Sequence, residues 1–303
     1  MLEDVPDGEL PCGASVRSAT HWFERVVTGW SRAACNAAVG WSKQVGYSTI
    51  VVTDEASVRT ITLNRPERRN AMTPEMQVEL ITALEDAAQS GCRALALAGA
   101  GEAFCSGLDL SVLQSMRDKT AVEYRMDAER IARLFLALYE LPLPTIAAVH
   151  GAAIAGGVGL AVICDFTLAS PEAKFGFTES RIGFVPAVVS AFLALQIGDK
   201  RSRDLLLTGR IIDTEEALRL GLINEVTPPG ELMRSVHALA RLLSANSPQS
   251  LSATKRLMAA QHRAWLDAAL VEAIEASVQA RETEDFHEGI AAFLEKRKPV
   301  WAK

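Results

Sequence analysis

The sequence has few cysteines, and their spacing matches neither a disulfide framework nor a zinc site. There are five cysteines among 303 residues, an odd number, and no two are separated by two residues. We therefore expect no metal and no disulfide scaffold, and a reducing compartment such as the cytoplasm fits better. Cys105 lies in a glycine-bearing segment, but no pattern typical of a cysteine hydrolase surrounds it, so it is not predicted to be a nucleophile.

The chain also lacks an excess of positive charge and an unbroken apolar run. Its formal net charge of −6 argues against a protein that binds nucleic acids or anionic membranes in general. Residues 145–164 approach the length of a membrane span, with His150 as the one strongly polar side chain. Glycines at 151, 156, 157 and 159 divide this stretch, so it predicts a buried strand followed by a buried helix, and no membrane span.

The remaining composition is that of a soluble globular protein with a sizeable core, since 49% of residues are hydrophobic and 22% are charged. Residues 1–46 differ from the rest and are predicted to be an N-terminal extension of unknown role: a flexible segment, a docked helix or an overcalled translation start. From Ser48 onward, apolar strand-like runs alternate with turns and helical patterns, which indicates an α/β fold. No GxGxxG follows the first strand with an acid at the required distance, so the pattern does not indicate a Rossmann fold.

Two short glycine-bearing segments carry most of the functional information. They are Ala103–Leu110, read AFCSGLDL, and His150–Gly159, read HGAAIAGGVG. Each lies where an apolar strand-like run gives way to a turn and a helix. Two such turns can each direct a backbone N–H at one point, and two convergent N–H groups form an oxyanion hole that stabilises an enolate or a tetrahedral oxyanion.

Taken together with other segments in the same order, these turns resemble the crotonase (enoyl-CoA hydratase/isomerase) superfamily. The matching segments are LNRPERRNAM (63–72), AFCSGLDL (103–110), GAAIAGGVGLA (151–161), CD (164–165), AKFG (173–176), LTG (207–209), GLINEV (221–226) and FLEKRK (293–298). The resemblance implies a spiral core of ββα turns over residues 47–235 and a helical region over 236–303 for oligomerisation and CoA contacts. It also implies a homotrimer or homohexamer, acyl-CoA thioesters as substrates, and no cofactor beyond the CoA of the substrate.

The resemblance assigns the two oxyanion donors to the backbone N–H groups of Leu108 and Gly156. The physical properties of Gly156 agree, because it has no Cβ and a thioester oxygen can approach its backbone closely. It also lies at a predicted helix N-terminus, where free N–H groups and the helix dipole favour negative charge. The alternative is that Gly156 and Gly157 only permit a strand and a helix to pack closely.

The acid–base positions differ from those of the hydratases. Those enzymes carry one glutamate three residues after the oxyanion glycine, where this chain has Gly159, and a second one at the position of Glu179. Glu179 is our predicted catalytic base, with an ordinary loop glutamate beside Arg181 as the alternative. One carboxylate can move a proton from C2 to C4 of a 3-enoyl-CoA, whereas hydration must also activate a water molecule.

The site therefore favours double-bond isomerisation, or a hydratase that recruits another second group. His150 and Asp109 are the nearest candidates by sequence, although we expect His150 to end a strand and Asp109 to cap or pair locally. The run PAVVSAF (186–192) replaces the Pro-Gly-x-Gly-Gly pattern of the two-glutamate families and is expected to reshape the acyl pocket. The alternatives are hydrolysis, decarboxylation or dehalogenation on the same fold, and a catalytically weak acyl-CoA-binding scaffold.

For CoA itself, the resemblance implies contacts from the loop before the first motif, from that motif and from the last helix. The residues are Arg68, Arg69, Ala71, Ser106, Asp109, Phe293 and Lys296. Arginine suits phosphate through its forked donors and lysine acts as a point charge. The alternative for these cations is an ordinary solvated surface role.

Overall fold

The protein is described from a computed structural model, which covers residues 46–116 and 119–302. These residues belong to one compact unit, Gly46–Lys303. The predicted N-terminal extension, residues 1–46, lies outside the described residues except for Gly46. Within the described ranges, no helix is both long and apolar enough to cross a membrane.

Two sheets form the framework of the unit. The first has six strands in the order β1-β2-β3-β4-β6-β9, with β1 and β2 antiparallel and the other neighbours parallel. The second has the order β5-β7-β8, with β5 and β7 parallel and β8 antiparallel to β7. The strands are β1 (Ile50–Glu55), β2 (Val58–Leu63), β3 (Ala94–Gly99), β4 (Thr145–Val149), β5 (Ala152–Ile154), β6 (Phe166–Ala169), β7 (Lys174–Gly176), β8 (Ile211–Asp213) and β9 (Glu225–Val226).

Helices alternate with these strands and then take over the C-terminal part of the chain. They are α1 (Pro74–Ala87), α2 (Leu110–Ser115), α3 (Ala121–Tyr139), α4 (Gly156–Ile163), α5 (Ala187–Ile197), α6 (Asp199–Thr208), α7 (Thr214–Leu220), α8 (Leu232–Ser244), α9 (Pro248–Arg281) and α10 (Glu284–Leu294). Pro66–Arg68 and Glu179–Ile182 form 3₁₀ turns. This mixed architecture confirms the predicted α/β class.

Local sequence signals explain where the helices around the site begin. Thr73 caps α1 by accepting a hydrogen bond from the Met76 N–H, and Pro74 occupies the first helical position, where its missing N–H costs nothing. Thr120 and Glu123 form a reciprocal capping box at the start of α3. Both helices therefore begin directly after a threonine whose side chain caps them.

The C-terminal helices pack on the core in two different ways. Helix α8 covers the six-stranded sheet, with Val236 and Ala240 buried against strand residues such as Ala96 and Ile146. The division expected between residues 235 and 236 thus falls inside a helix that packs on the sheet. Helix α9, 34 residues long, packs on α3 and α5.

The positions of β3 and β4 determine where the site forms. They are parallel neighbours at the centre of the sheet, and every residue of β4 is buried. Their carboxyl ends therefore lie at the same edge of the sheet, which is where ligands bind in open α/β sheets. The two glycine-bearing segments begin at this edge.

Candidate active site

The two glycine-bearing segments run side by side after leaving the sheet. The Phe104 N–H donates to the His150 carbonyl at 2.9 Å, and the Cys105 N–H donates to the Ala152 carbonyl at 3.0 Å. The Ile154 N–H returns a bond of 2.9 Å to the Cys105 carbonyl. These three bonds extend the pairing of β3 and β4, and they bring the two turns predicted from sequence to one place.

Met72 determines the orientation of the peptide at Leu108. The Met72 N–H donates to the Gly107 carbonyl at 2.7 Å, and the Asp109 N–H donates to the Met72 carbonyl at 3.0 Å. In a parallel pairing of this kind, the N–H of the intervening residue points away from the partner strand. Leu108 lines a cavity, so its N–H is directed away from Met72 on the cavity wall.

Gly156 is the first residue of α4, and its N–H is one of the four at a helix start that have no acceptor within the helix. A Cβ at this position would lie 2.5 Å from the Met72 Cε, so a larger residue would require the Met72 side chain to move. The preceding residue, Ala155, has φ 52° and ψ −123°, a backbone conformation that residues other than glycine rarely adopt. A 2.7 Å hydrogen bond from the Ala155 N–H to the Gly176 carbonyl holds this turn.

A cavity of about 530 Å³ opens beside these two backbone groups. Nine of the ten predicted site residues line it: Glu179, Leu108, Gly156, Arg68, Arg69, Ala71, Ser106, Asp109 and Phe293. Lys296 is exposed and is not among the described residues that line the cavity. The cavity is also lined by Ala187, Val188 and Val189, which belong to the run PAVVSAF (186–192) that was expected to reshape the acyl pocket.

Glu179 begins a 3₁₀ turn on the cavity wall and is only 8% exposed. Its Oε2 is buried and has no hydrogen-bond partner among the described residues. Burial raises the pKa of this carboxyl to about 7, with a smaller opposing contribution from a hydrogen bond to its own backbone. A carboxyl with a pKa near neutrality can both take up and release a proton, which is what a general base in repeated turnover requires.

Gly159 lies in α4, at the position where the resemblance implies a first glutamate. A Cβ here would lie 2.5 Å from the Phe135 Cζ and 3.2 Å from the Val189 Cγ2. Phe135 is itself buried and packs edge-on against Phe192, with 6.0 Å between ring centroids. The space that an acidic side chain at 159 would need is therefore occupied by an aromatic ring.

The other carboxylates on the cavity wall differ from Glu179 in pairing or exposure. Asp109 forms an ion pair of 2.9 Å with Arg65 and caps α2 by accepting from the Ser111 N–H at 2.9 Å. Burial alone would raise the pKa of Asp109, but the bonds from Ser111 and Arg65 outweigh it and lower the pKa. Asp127 pairs with Lys119 and Arg130, and Glu67 is exposed.

The remaining nucleophile and acid–base candidates lie elsewhere. The His150 ring is within 2.9 Å of the Gly101 carbonyl through Nε2, and His150 is not among the described residues of the cavity lining. The Cys105 thiol is buried, and burial raises its pKa to about 12. A thiol of this kind is not a nucleophile near neutral pH.

Asn70 is a residue of the site region that was not among the predicted site residues. Its side chain accepts from the Arg65 N–H at 2.9 Å and donates to the carbonyls of Ala100 and Ala103 at 2.8 and 2.7 Å. Asn70 is fully buried and has φ 53°, a left-handed conformation that asparagine tolerates better than most residues. It fixes the loop before Met72 against the start of the first motif, and the polar composition of that loop was its only signal.

The match to a family model covers most of the chain. The model described as enoyl-CoA hydratase/isomerase matches residues 53–303. A Thermus thermophilus relative named "Putative enoyl-CoA hydratase" is 43% identical over 251 residues, which cover 82% of this chain and 99% of the relative. The short-chain-enoyl-CoA hydratase of Clostridium acetobutylicum is 32% identical over 256 residues, with 83% of this chain and 96% of the relative covered.

Solved structures agree with the sequence matches. An enoyl-CoA hydratase/isomerase from Xanthobacter autotrophicus Py2 superposes with a TM-score of 0.77 at 30% sequence identity, covering 82% of this chain and 94% of that one. An enoyl-CoA hydratase from Mycobacterium avium subsp. paratuberculosis superposes with a TM-score of 0.76 at 28% identity, covering 85% of this chain and all of that one. The chain is thus similar over nearly its whole described length to acyl-CoA enzymes of one fold.

Proposed function

The chain belongs to the enoyl-CoA hydratase/isomerase family, and from this premise we propose that it shifts the double bond of an enoyl-CoA with Glu179 as the single proton carrier. One observation carries the proposal. Glu179 is buried on the cavity wall with a raised pKa and a free oxygen, while Phe135 fills the space at Gly159 that a second acid would need. A site with one proton carrier suits isomerisation better than addition of water.

The proposed reaction begins with the thioester oxygen between the N–H groups of Leu108 and Gly156. Glu179 takes a proton from C2 of a 3-enoyl-CoA, and the electron pair of the broken C–H bond passes into the thioester to give a dienolate. The two N–H groups stabilise the negative charge on oxygen, and the dipole of α4 adds to this. Glu179 then returns the proton at C4, which yields the 2-enoyl-CoA with no net gain or loss of atoms.

For CoA we propose that the phosphates lie near Arg68 and Arg69, which are exposed at the cavity wall next to Ser106. Arginine binds phosphate through two parallel N–H groups, and an exposed position lets it do so without first breaking a buried contact. Phe293, half-exposed on the wall, offers an apolar surface to the same ligand. Lys296 lies outside the lining, so a contact to CoA from this residue stays a prediction.

We also propose a homotrimer or homohexamer. Helix α9 exposes Leu257, Met258 and Trp265, and exposed apolar side chains grouped on one helix are typical of a surface that another subunit covers. This proposal does not affect the assignment of Glu179.

Hydration of a 2-enoyl-CoA is the second candidate, and the names of the Thermus and Clostridium relatives favour it. It needs a group besides Glu179 to bind and orient the water. Among the described residues, Asp109 and Asp127 are held by cations and Gly159 has no side chain. Hydration by this chain would therefore depend on Glu179 both to activate water and to protonate C2.

The test is turnover of purified protein on a 3-enoyl-CoA and on a 2-enoyl-CoA of the same length. We expect isomerisation to exceed hydration, and kcat/KM to rise with pH through about 7, because the reaction needs the ionised form of Glu179. Glu179→Gln should lower kcat by roughly 10²–10⁴-fold, as is common when a general base is lost. Glu67→Gln, which removes an exposed carboxylate from the same wall, is the control and should retain activity.

Four results would contradict the proposal in different ways. Hydration that is faster than isomerisation would favour the second candidate. Turnover that survives Glu179→Gln would remove Glu179 as the base. Binding of both esters without turnover of either would favour a scaffold, and release of free CoA would favour a hydrolase.

A further inference from the structure

Arg281, the last residue of α9, is a buried cation on the wall of the acyl cavity. It is 4% exposed and belongs to the cavity lining. Its Nη1 donates to the Tyr124 carbonyl at 2.8 Å, whereas its Nε is buried and has no hydrogen-bond partner among the described residues. Buried arginines are normally paired, so this one has unused binding capacity.

Aromatic rings hold the guanidinium group in place. Its central carbon lies 5.4 Å from the centroid of the Tyr124 ring and 5.0 Å from that of the Phe184 ring. Cation–π contacts of this kind stabilise the charge but do not satisfy the N–H donors. The group is therefore pre-oriented, and a ligand that met it would lose little side-chain entropy.

The surroundings of Arg281 leave its charge largely uncompensated. Burial lowers its pKa, and the nearby carboxylate of Asp127 opposes that shift. Asp127, however, already forms ion pairs with Lys119 and with Arg130, the latter at 3.1 Å. One carboxylate is thus already paired with two cations, and Arg130 and Arg281 both line the cavity.

Apolar side chains connect this cationic region to the thioester position. Leu108 and Phe184 pack against the same hydrophobic cluster, which includes Leu113 and Met116. Phe184 in turn contacts Arg281. The wall therefore changes from backbone donors at Leu108, through an aliphatic and aromatic middle section, to a cation.

A ligand that matches this wall has a thioester at one end, a short aliphatic chain and an anion at the other end. An acyl chain that ends in a methyl group would further bury the guanidinium without giving its donors a partner, which is unfavourable. A terminal carboxylate would accept charge-assisted hydrogen bonds there. Sites built to bond a polar group discriminate strongly against analogues that lack it.

We propose that the acyl end of this cavity is an anion site formed by Arg281 and Arg130, and that the protein prefers acyl-CoA esters whose acyl chain ends in a carboxylate. This inference rests on the proposed acyl-CoA function and specifies its substrate class. It assigns to Arg281 the role of a specificity-determining residue.

The test measures binding without turnover, so that it does not depend on the identity of the reaction. Saturated acyl-CoA esters, which can be neither hydrated nor isomerised, are compared by calorimetry in pairs of equal chain length. Hexanoyl-CoA and adipoyl-CoA are one pair, with shorter and longer pairs to find the matching length. The carboxylated ester of at least one pair should bind roughly 10- to 100-fold more tightly, the usual range for a hydrogen bond to a charged group.

Substitutions then identify the source of the preference. Arg281→Met should abolish it while binding of hexanoyl-CoA stays within a few-fold of wild type, and Arg281→Lys should retain part of it. If Arg281→Met lowers the melting temperature too far to be assayed, Asp127→Asn provides an independent measurement. Loss of that negative charge should increase the preference for the carboxylated ester.

The inference is overturned if no pair shows a preference in the wild type, or if the preference persists in folded Arg281→Met. It is also overturned if Asp127→Asn leaves the preference unchanged. If neither ester of any pair binds although the protein is folded, the proposed acyl-CoA function fails as well. Binding of both esters with equal affinity would leave that function intact and refute only the anion site.

Discussion

Replacing Glu179 with glutamine is expected to stabilise the folded protein above neutral pH. Burial raises the pKa of this carboxyl to about 7, compared with 4.5 for an ordinary glutamate. Because the folded pKa is the higher one, the stabilisation from the bound proton is complete below pH 4.5 and is lost as the pH rises through about 7. The difference between these two pKa values corresponds to roughly 3 kcal/mol.

Urea unfolding at several pH values measures this effect directly. Glutamine has the shape of glutamate but no charge, so Glu179→Gln should not lose stability as the pH rises. The free energy of unfolding of the variant, minus that of the wild type, should therefore increase by roughly 3 kcal/mol between about pH 5 and about pH 8.5. A difference that stays constant across this range would show that the folded protein does not destabilise the carboxylate, and our argument for the base would fail.

Glu79 in α1 provides the matched control, because it is a buried glutamate with the opposite shift. Its Oε1 accepts from the Ser48 N–H at 2.7 Å and its Oε2 from the Thr49 N–H at 2.9 Å. Burial alone would raise its pKa, but these and the corresponding hydroxyl bonds lower it. A carboxyl whose pKa is lowered in the folded protein stabilises the fold at every pH above its ordinary pKa. This stabilisation is lost only as the pH falls through the folded pKa. Glu79→Gln should therefore destabilise the protein by an amount that is constant from about pH 5 upward.

Two further substitutions test how the site is built. Asn70→Ala should lower the free energy of unfolding by roughly 2–3 kcal/mol, because it removes the side-chain donor to the carbonyls of Ala100 and Ala103. The exposed Asn64→Ala should change it little, and equal effects in denaturant titrations would argue against the role of Asn70. Gly159→Ala should cost about 1–3 kcal/mol through overpacking against Phe135, and Phe135→Leu in the same chain should recover part of this loss. A double-mutant cycle without coupling between 159 and 135 would mean that the ring does not fill the acid position.

The sequence was sufficient for the elements on which the two turns are built. The apolar runs at 94–98 and 145–149 predict buried strands, and both are buried strands. Thr73 followed by Pro74 and Glu75 predicts a helix start, and α1 begins there. These features could be predicted because they depend on residues close together in the chain.

Features that depend on distant contacts could not be predicted in the same way. The role of Met72, whose backbone orients Leu108 and whose side chain touches the Gly156 position, requires the first motif, the second motif and the preceding loop to be in place. Arg281 gave no signal, because a basic residue in the last turn of a helix is common where it complements the helix dipole. Only the fold reveals that this turn faces a cavity.

The two ends of the cavity are built from different parts of the fold, and this explains how the proposed oxyanion donors can be present although Gly159 provides no second acid. The thioester end consists of backbone N–H groups, whose positions depend on strand pairing and on a helix start rather than on a particular side chain. The acyl end consists of side chains from three helices that pack on one another: Phe135 from α3, Val189 from α5 and Arg281 from α9. A substitution on those helices changes which acyl group fits and whether a second acid is present, while the backbone donors stay where they are. The proposed activation of the thioester therefore depends on the fold, whereas the choice of substrate and of reaction depends on these helix side chains.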